Sequence, residues 1–137
     1  MATMVDSNVL IDIAYRDPAW MAWSMRHLRE AANDGPLLIN PVIYSEFSYR
    51  FDQMDDADAA LDSETFRREA LPWEAAFAAA QAFRIYRVSG GRKDRVLPDF
   101  LIGAHAAIRG YRMLTRDPSG YRAYFPGLDI VAPDTHP

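Results

Sequence analysis

Apolar residues in this chain fall into short continuous runs separated by longer stretches with helical spacing. Met4-Val5 is such a run; it ends on Asp6, is followed by Ser7-Asn8, and resumes at Val9. That order reads as a buried strand closing on Asp6, a tight turn, and a short helix over Val9 to Ala14 with Ser7 or Asn8 as its cap. Arg16-Asp17-Pro18 breaks the pattern. Met21, Met25, Leu28 and Ala32, with Trp20 and Trp23 alongside, predict a helix from about Ala19 to Asn33, stopped by Asp34-Gly35-Pro36. Leu37-Leu38-Ile39 is too short for a helix and reads as a second buried strand.

Asn40-Pro41 then restarts a helix, asparagine as N-cap and proline at the first helical position. Ile43, Phe47 and Phe51 form its buried stripe, with Glu46 on the border. Asp52 to Asp62 reads as an exposed acidic helix, Arg67 to Trp73 as a connector, and Glu74 to about Val88 as an Ala-rich helix. Ser89 to Arg95 is the most evident loop. Pro98 opens a further helix with Asp99 in its first turn, ending at Arg109-Gly110. Tyr111 to Thr115 and Leu128 to Val131 complete the set of strands. Alternating short strands and helices imply an α/β fold, a mostly parallel central sheet of four to five strands sandwiched by helices. At 137 residues the chain is expected to form one domain over 1–137.

Composition narrows the chemistry. The absence of cysteine excludes disulfides, thiolate metal sites and a cysteine nucleophile, and three scattered histidines argue against an imidazole-built zinc site. No stretch approaches membrane-spanning length, so a cytoplasmic protein is the expectation. A net charge of −4 argues against bulk binding to nucleic acid. Arg84, Arg87, Arg92, Lys93 and Arg95 nevertheless cluster immediately upstream of Asp99, where they are candidates for phosphate contacts.

Four acids stand out by position. Asp6 and Asp117 follow predicted strands, Asp99 opens a helix, and Glu46 rides the helix after the second strand. Ligands in open α/β sheets bind past the carboxyl ends of the strands, and a right-handed layout brings these four to one edge. Taken singly, each has a plain structural explanation: Asp6 a helix cap, Asp99 a first-turn dipole partner, Glu46 a surface residue, Asp117-Pro118 a turn. Together, carboxylates without a lysine or histidine among them need a cation or protons. Oxygen ligands alone select Mg²⁺ or Mn²⁺, which can activate water toward a phosphoryl centre. Ser7, Asn8 and Thr115 are the supporting polar groups.

The segments VDSNVLID, INPVIYSEF, LPDFLIGAHA and MLTRDPSGYRAYFPGLDIVAP resemble the PIN-domain family over nearly the whole chain, and more narrowly its VapC-like toxins. The resemblance implies a metal site at Asp6, Glu46, Asp99 and Asp117, with Thr115 as the small polar neighbour and Ser7 in place of a common threonine. It also implies Mg²⁺- or Mn²⁺-dependent endoribonuclease activity on tRNA or ribosomal RNA, a homodimer, and a VapB-like antitoxin that blocks the site. The apolar residues of the Trp20–Leu28 helix are the candidate dimer surface. Two other readings stand beside it. An aspartyl-phosphate phosphotransferase would want an acid where Asn8 stands and a lysine near Asp117. A non-catalytic metal- and RNA-binding module of the same fold would keep the same acids.

Overall fold

The computed structural model describes residues 1–90 and 96–137. Among them five short strands, β1 (Thr3–Val5), β2 (Leu37–Ile39), β3 (Phe66–Arg68), β4 (Arg112–Leu114) and β5 (Ile130–Val131), form one sheet in the order β3-β2-β1-β4-β5. Every pairing is parallel. Seven helices connect and cover the strands: α1 (Ser7–Ala14), α2 (Met21–Asp34), α3 (Pro41–Ser48), α4 (Met54–Ala60), α5 (Trp73–Val88), α6 (Leu97–Arg109) and α7 (Ser119–Tyr124). β1 and β2 are buried throughout, as strands of a sheet covered on both faces should be. Met4, Val5, Leu37, Ile39, Met113 and Leu114 meet Ile43, Phe47 and Ile102 from α3 and α6 in the main core. A second cluster, Ala75, Ala79, Tyr86, Phe100 and Ala104, joins α5 to α6.

The α/β architecture with a parallel sheet follows the reading of the chain, with three differences. The expected connector from Arg67 begins inside β3, whose Phe-Arg-Arg sequence buries only Phe66. Pairing with β2, Phe66 against Leu37 and Arg68 against Ile39, makes it a strand; nothing in its local pattern does. The short helix α7 was not expected. In α2 the buried face carries Trp23, Ser24, His27 and Ala31, whereas Ala32 of the expected stripe is exposed. Hydrogen bonding allows this rotation: Ser24 donates to Asp12 at 2.8 Å and the Trp23 indole to the His136 carbonyl at 2.7 Å. The most exposed large apolar side chains of the helices are Trp73, Phe77 and Val88 on α5, not those of α2. No helix among the described residues is long and apolar enough to cross a membrane.

One buried polar link ties α3 to α6. Asn40 caps α3 by accepting from the Ile43 N–H at 2.8 Å. Its amide nitrogen therefore faces His105 Nδ1, 3.0 Å away, and must donate to it. His105 is fully buried on α6, with Nε2 3.5 Å from Glu69. Burial holds its pKa below the ordinary 6.5, against the pull of Glu69. Because α3 carries Glu46 and α6 carries Asp99, this link sets the spacing of two of the four acids. Asn40→Ala should lose about 2–4 kcal/mol, a helix cap plus an orphaned buried imidazole acceptor; urea unfolding against wild type measures it.

Candidate functional site

The chain runs outward from β1 through β2 to β3, then crosses back to β4 and β5 on the other side. The strand order therefore reverses between β1 and β4, and the crevice beyond their carboxyl ends is where such sheets bind ligands. The register Val5 against Leu114 places Asp6, the next residue of one strand, beside Thr115, the next residue of the other. The Asp6 N–H donates to the Leu114 carbonyl at 3.0 Å.

Asp6 itself is the cap of α1, in place of the expected Ser7 or Asn8. The residue is 6 % exposed. Oδ1 accepts the Ser7 N–H at 2.8 Å; Oδ2 accepts the Thr115 hydroxyl at 2.8 Å and the Tyr121 phenol at 2.9 Å. The Asn8 amide nitrogen lies 3.4 Å from Oδ2 and 3.3 Å from the Thr115 hydroxyl oxygen. Thr115 in turn accepts the Asp117 N–H at 3.1 Å, and Asn8 Oδ1 accepts the Arg116 N–H at 3.1 Å. The turn after β4 is thus laced to the start of α1.

α3 brings Glu46 to the same place, where the Ser7 hydroxyl donates to it at 3.0 Å. Asp99 stands in the first turn of α6, supported by the dipole. Asp6, Ser7, Asn8, Glu46, Asp99 and Asp117 share one cavity of about 200 Å³, which Phe100, Gly120, Tyr121 and Phe125 also line. Gly103 lets α7 close in: a Cβ there would stand 2.6 Å from the Phe125 ring and 3.0 Å from that of Tyr121.

The electrostatics follow from crowding acids where water is scarce. Burial raises the pKa of Asp6; Thr115, Tyr121 and the Ser7 N–H pull it back, and the charge of Asp99 adds to the rise. Glu46 is raised by burial first, eased by Ser7, then pushed further by Asp6 and Asp99. Tyr121 is pushed far above 10 by burial and by the Asp6 charge, so its phenol stays a donor. No arginine or lysine among the described residues lines the cavity. Arg116, next to Asp117 in sequence, turns away: its Nε and Nη2 donate to Asp12 at 2.8 and 2.9 Å, and its guanidinium lies 5.5 Å from the Trp20 ring centre.

Six of the seven polar residues singled out from the sequence meet at this cavity, and Thr115 is buried directly behind Asp6. Arg84 and Arg87 do not line it. They are exposed near the end of α5, which packs on Phe100 through Phe83 and Tyr86 at ring separations of 5.3 and 5.5 Å. Arg92, Lys93 and Arg95 lie outside the described residues. The sequence reading missed Tyr121 and the Asp12–Arg116 pair. A lone acid inside the apolar run Val9 to Ile13 was the available signal for Asp12; Tyr121 gave none, because its role depends on a helix that the local pattern does not announce.

The model of the PIN domain family matches residues 3–126, and the chain belongs to that family. Among solved structures the fold is similar to VapBC2 from Rickettsia felis bound to a promoter DNA fragment (TM-score 0.76, 15 % identity, 96 % of this chain and 98 % of that chain). It is likewise similar to DNA-bound VapBC from Salmonella typhimurium (0.71, 19 %, 96 % and 98 %) and to a toxin–antitoxin complex from Klebsiella pneumoniae (0.64, 21 %, 94 % and 95 %). No curated protein matches the sequence.

Arg116 anchors the turn that carries Asp117, and its removal strands Asp12, which is 1 % exposed. Arg116→Ala should therefore cost about 2–4 kcal/mol in urea unfolding, less than a fully buried pair because the guanidinium is partly solvated.

Proposed function

We propose that the protein is a divalent-metal-dependent endoribonuclease, the toxin of a toxin–antitoxin pair, acting on structured RNA such as tRNA or ribosomal RNA. One observation carries the reading: Asp6, Glu46, Asp99 and Asp117 converge on one cavity that no cation of the described chain lines.

Mg²⁺ or Mn²⁺ fits this donor set, which is all oxygen and acceptor-rich. Among the described residues no three His, Asp or Glu side chains are gathered as a ready-made ion site; the acids surround a cavity roomy enough for several waters. That suits a hard cation that keeps part of its hydration shell. Asp6, Asp99 and Asp117 would hold it, with Glu46 on the ion or its water. When bound, the ion supplies an activated water and charge neutralisation at the scissile phosphate. The chain's own groups do the positioning. Thr115, Tyr121 and the Ser7 N–H fix the Asp6 carboxylate, which keeps an open lone pair on Oδ1, and the Ser7 hydroxyl aims Glu46. Phe100 and Phe125 narrow the access of bulk water.

The partner in this reading is a VapB-like antitoxin, in keeping with the toxin–antitoxin complexes among the structural neighbours. A homodimer belongs to the reading as well.

Wild type should bind Mn²⁺ in calorimetry and cut total RNA, whereas Asp99→Asn should stay folded and do neither. Metal binding without cleavage would favour the non-catalytic module, and absence of metal binding would remove the basis of the reading. A pH test follows from the raised carboxyls. Asp6 and Glu46 in the folded chain hold protons above their ordinary 3.8 and 4.5, so between those values and the raised ones the folded state binds more protons than the unfolded. Stability of the metal-free protein from these two groups falls as pH rises through that window. His105, lowered from 6.5, contributes the opposite slope below that value, so the readout is the increment in Tm given by Mg²⁺. That increment should grow as pH rises above these ordinary carboxyl values and shrink in Asp6→Asn.

A further inference from the structure

RNA brings phosphates toward a cavity lined by four acids on a chain of net charge −4, so its binding needs local cations. Five of the described arginines are already neutralised: Arg68 by Asp58, Arg109 by Glu69, Arg112 by Asp34 and Asp129, Arg116 by Asp12, and Arg122 by Asp134. Arg50 is different. Among the described residues it has no carboxylate partner; its guanidinium lies 5.6 Å from the ring centre of Tyr15 and 5.0 Å from that of Tyr49. Arg68 also lies over a tyrosine, Tyr44 at 4.9 Å, but its charge is spent on Asp58. Tyr15 is 48 % exposed and Tyr49 75 %.

The place of this cluster gives it meaning. α1 starts at Ser7 in the cavity and ends beside Tyr15, about 12 Å further along. α3 packs against α1, and Arg50 comes four residues after Glu46, with Tyr49 still in helical conformation. The cluster therefore lies at the far end of α1 and about one helical turn beyond Glu46 along the chain. It is also firmly rooted: Tyr15 meets Phe51 at 6.4 Å, and Phe51 meets the buried Phe47 at 5.3 Å.

We propose that Tyr15, Tyr49 and Arg50 form an RNA subsite in which tyrosine faces stack an unpaired base and Arg50 takes the adjoining phosphate. Aromatic faces interleaved with an unspent guanidinium are the chemistry of single-stranded nucleic-acid binding, and structured RNA offers unpaired bases in its loops. A protein partner would find more apolar surface elsewhere, on Trp73, Phe77 and Val88. The subsite rests on the nuclease reading and extends it to substrate contact.

The test is fluorescence anisotropy with a labelled RNA hairpin bearing an unpaired loop, in EDTA and at several salt concentrations. The full chain is compared with Tyr49→Ala, Arg50→Ala, Arg50→Lys and, as a distant exposed control, Arg67→Ala. Tyr49→Ala and Arg50→Ala should each weaken binding by about tenfold. Arg50→Ala should also lower the salt slope by about one, and Arg50→Lys should restore the slope without the full affinity. Wild-type affinity and slope in both alanine variants, an equal loss in Arg67→Ala, or no binding by wild type at low salt would overturn the subsite. So would loss of a protein partner with RNA affinity unchanged, which would mark the cluster as a docking face. Cleavage by the wild type with Mn²⁺, run in parallel, separates the two levels: cutting with unaffected variants sinks the subsite alone, and no cutting sinks the nuclease reading itself.

Discussion

A carboxylate buried where two central strands end is the constraint around which this molecule is built. Asp6 cannot leave water without partners, and of its three short hydrogen bonds one comes from the adjoining start of α1 and two from far along the chain, just past β4 and in the middle of α7. Each donor needs its own support. Thr115 is placed by the β1–β4 register, and Tyr121 by the close approach of α7 that Gly103 permits. The turn between them is held by Arg116, clamped on Asp12. Loss of any of these would be felt first at Asp6.

Charge is the second organising theme. The fold gathers negative groups at one opening and spends its nearby positive groups elsewhere, in pairs along the flanks. An acidic cavity of this kind costs stability when empty of cations, which is the physical content of the raised Asp6 and Glu46 carboxyls. Proteins retain such unfavourable arrangements where a ligand reverses their sign.

The sequence was most informative where local chemistry decides structure. Leu37-Leu38-Ile39 could hardly be other than a buried strand, and Asn40-Pro41 announced the start of α3 to the residue, although the helix ends at Ser48, short of the expected Phe51. Asp6, Asp99 and Asp117 were legible because strand ends and helix starts are local signals, and Glu46 because it borders the buried stripe of α3; sheet topology brings such places together. What the pattern did not reveal depends on partners far along the chain. β3 is a strand only because β2 lies beside it, and the buried face of α2 turns on Asp12 and His136. Tyr121 matters through a hydroxyl that reaches across 115 positions of sequence. No window of local hydrophobicity contains that information.

The position of β1 carries a consequence for the making of the protein. It is the first strand to be synthesised, yet it lies at the centre of the sheet, and the pairing that encloses Asp6 joins residues 109 positions apart. Parallel pairing over such a separation is late and slow. A ribosome must deliver Thr115 and Tyr121 before the acidic opening can take shape, so nascent or truncated chains lack it. Synthesis of Tyr121, rather than of β1, is therefore the moment from which the assembled site can exist.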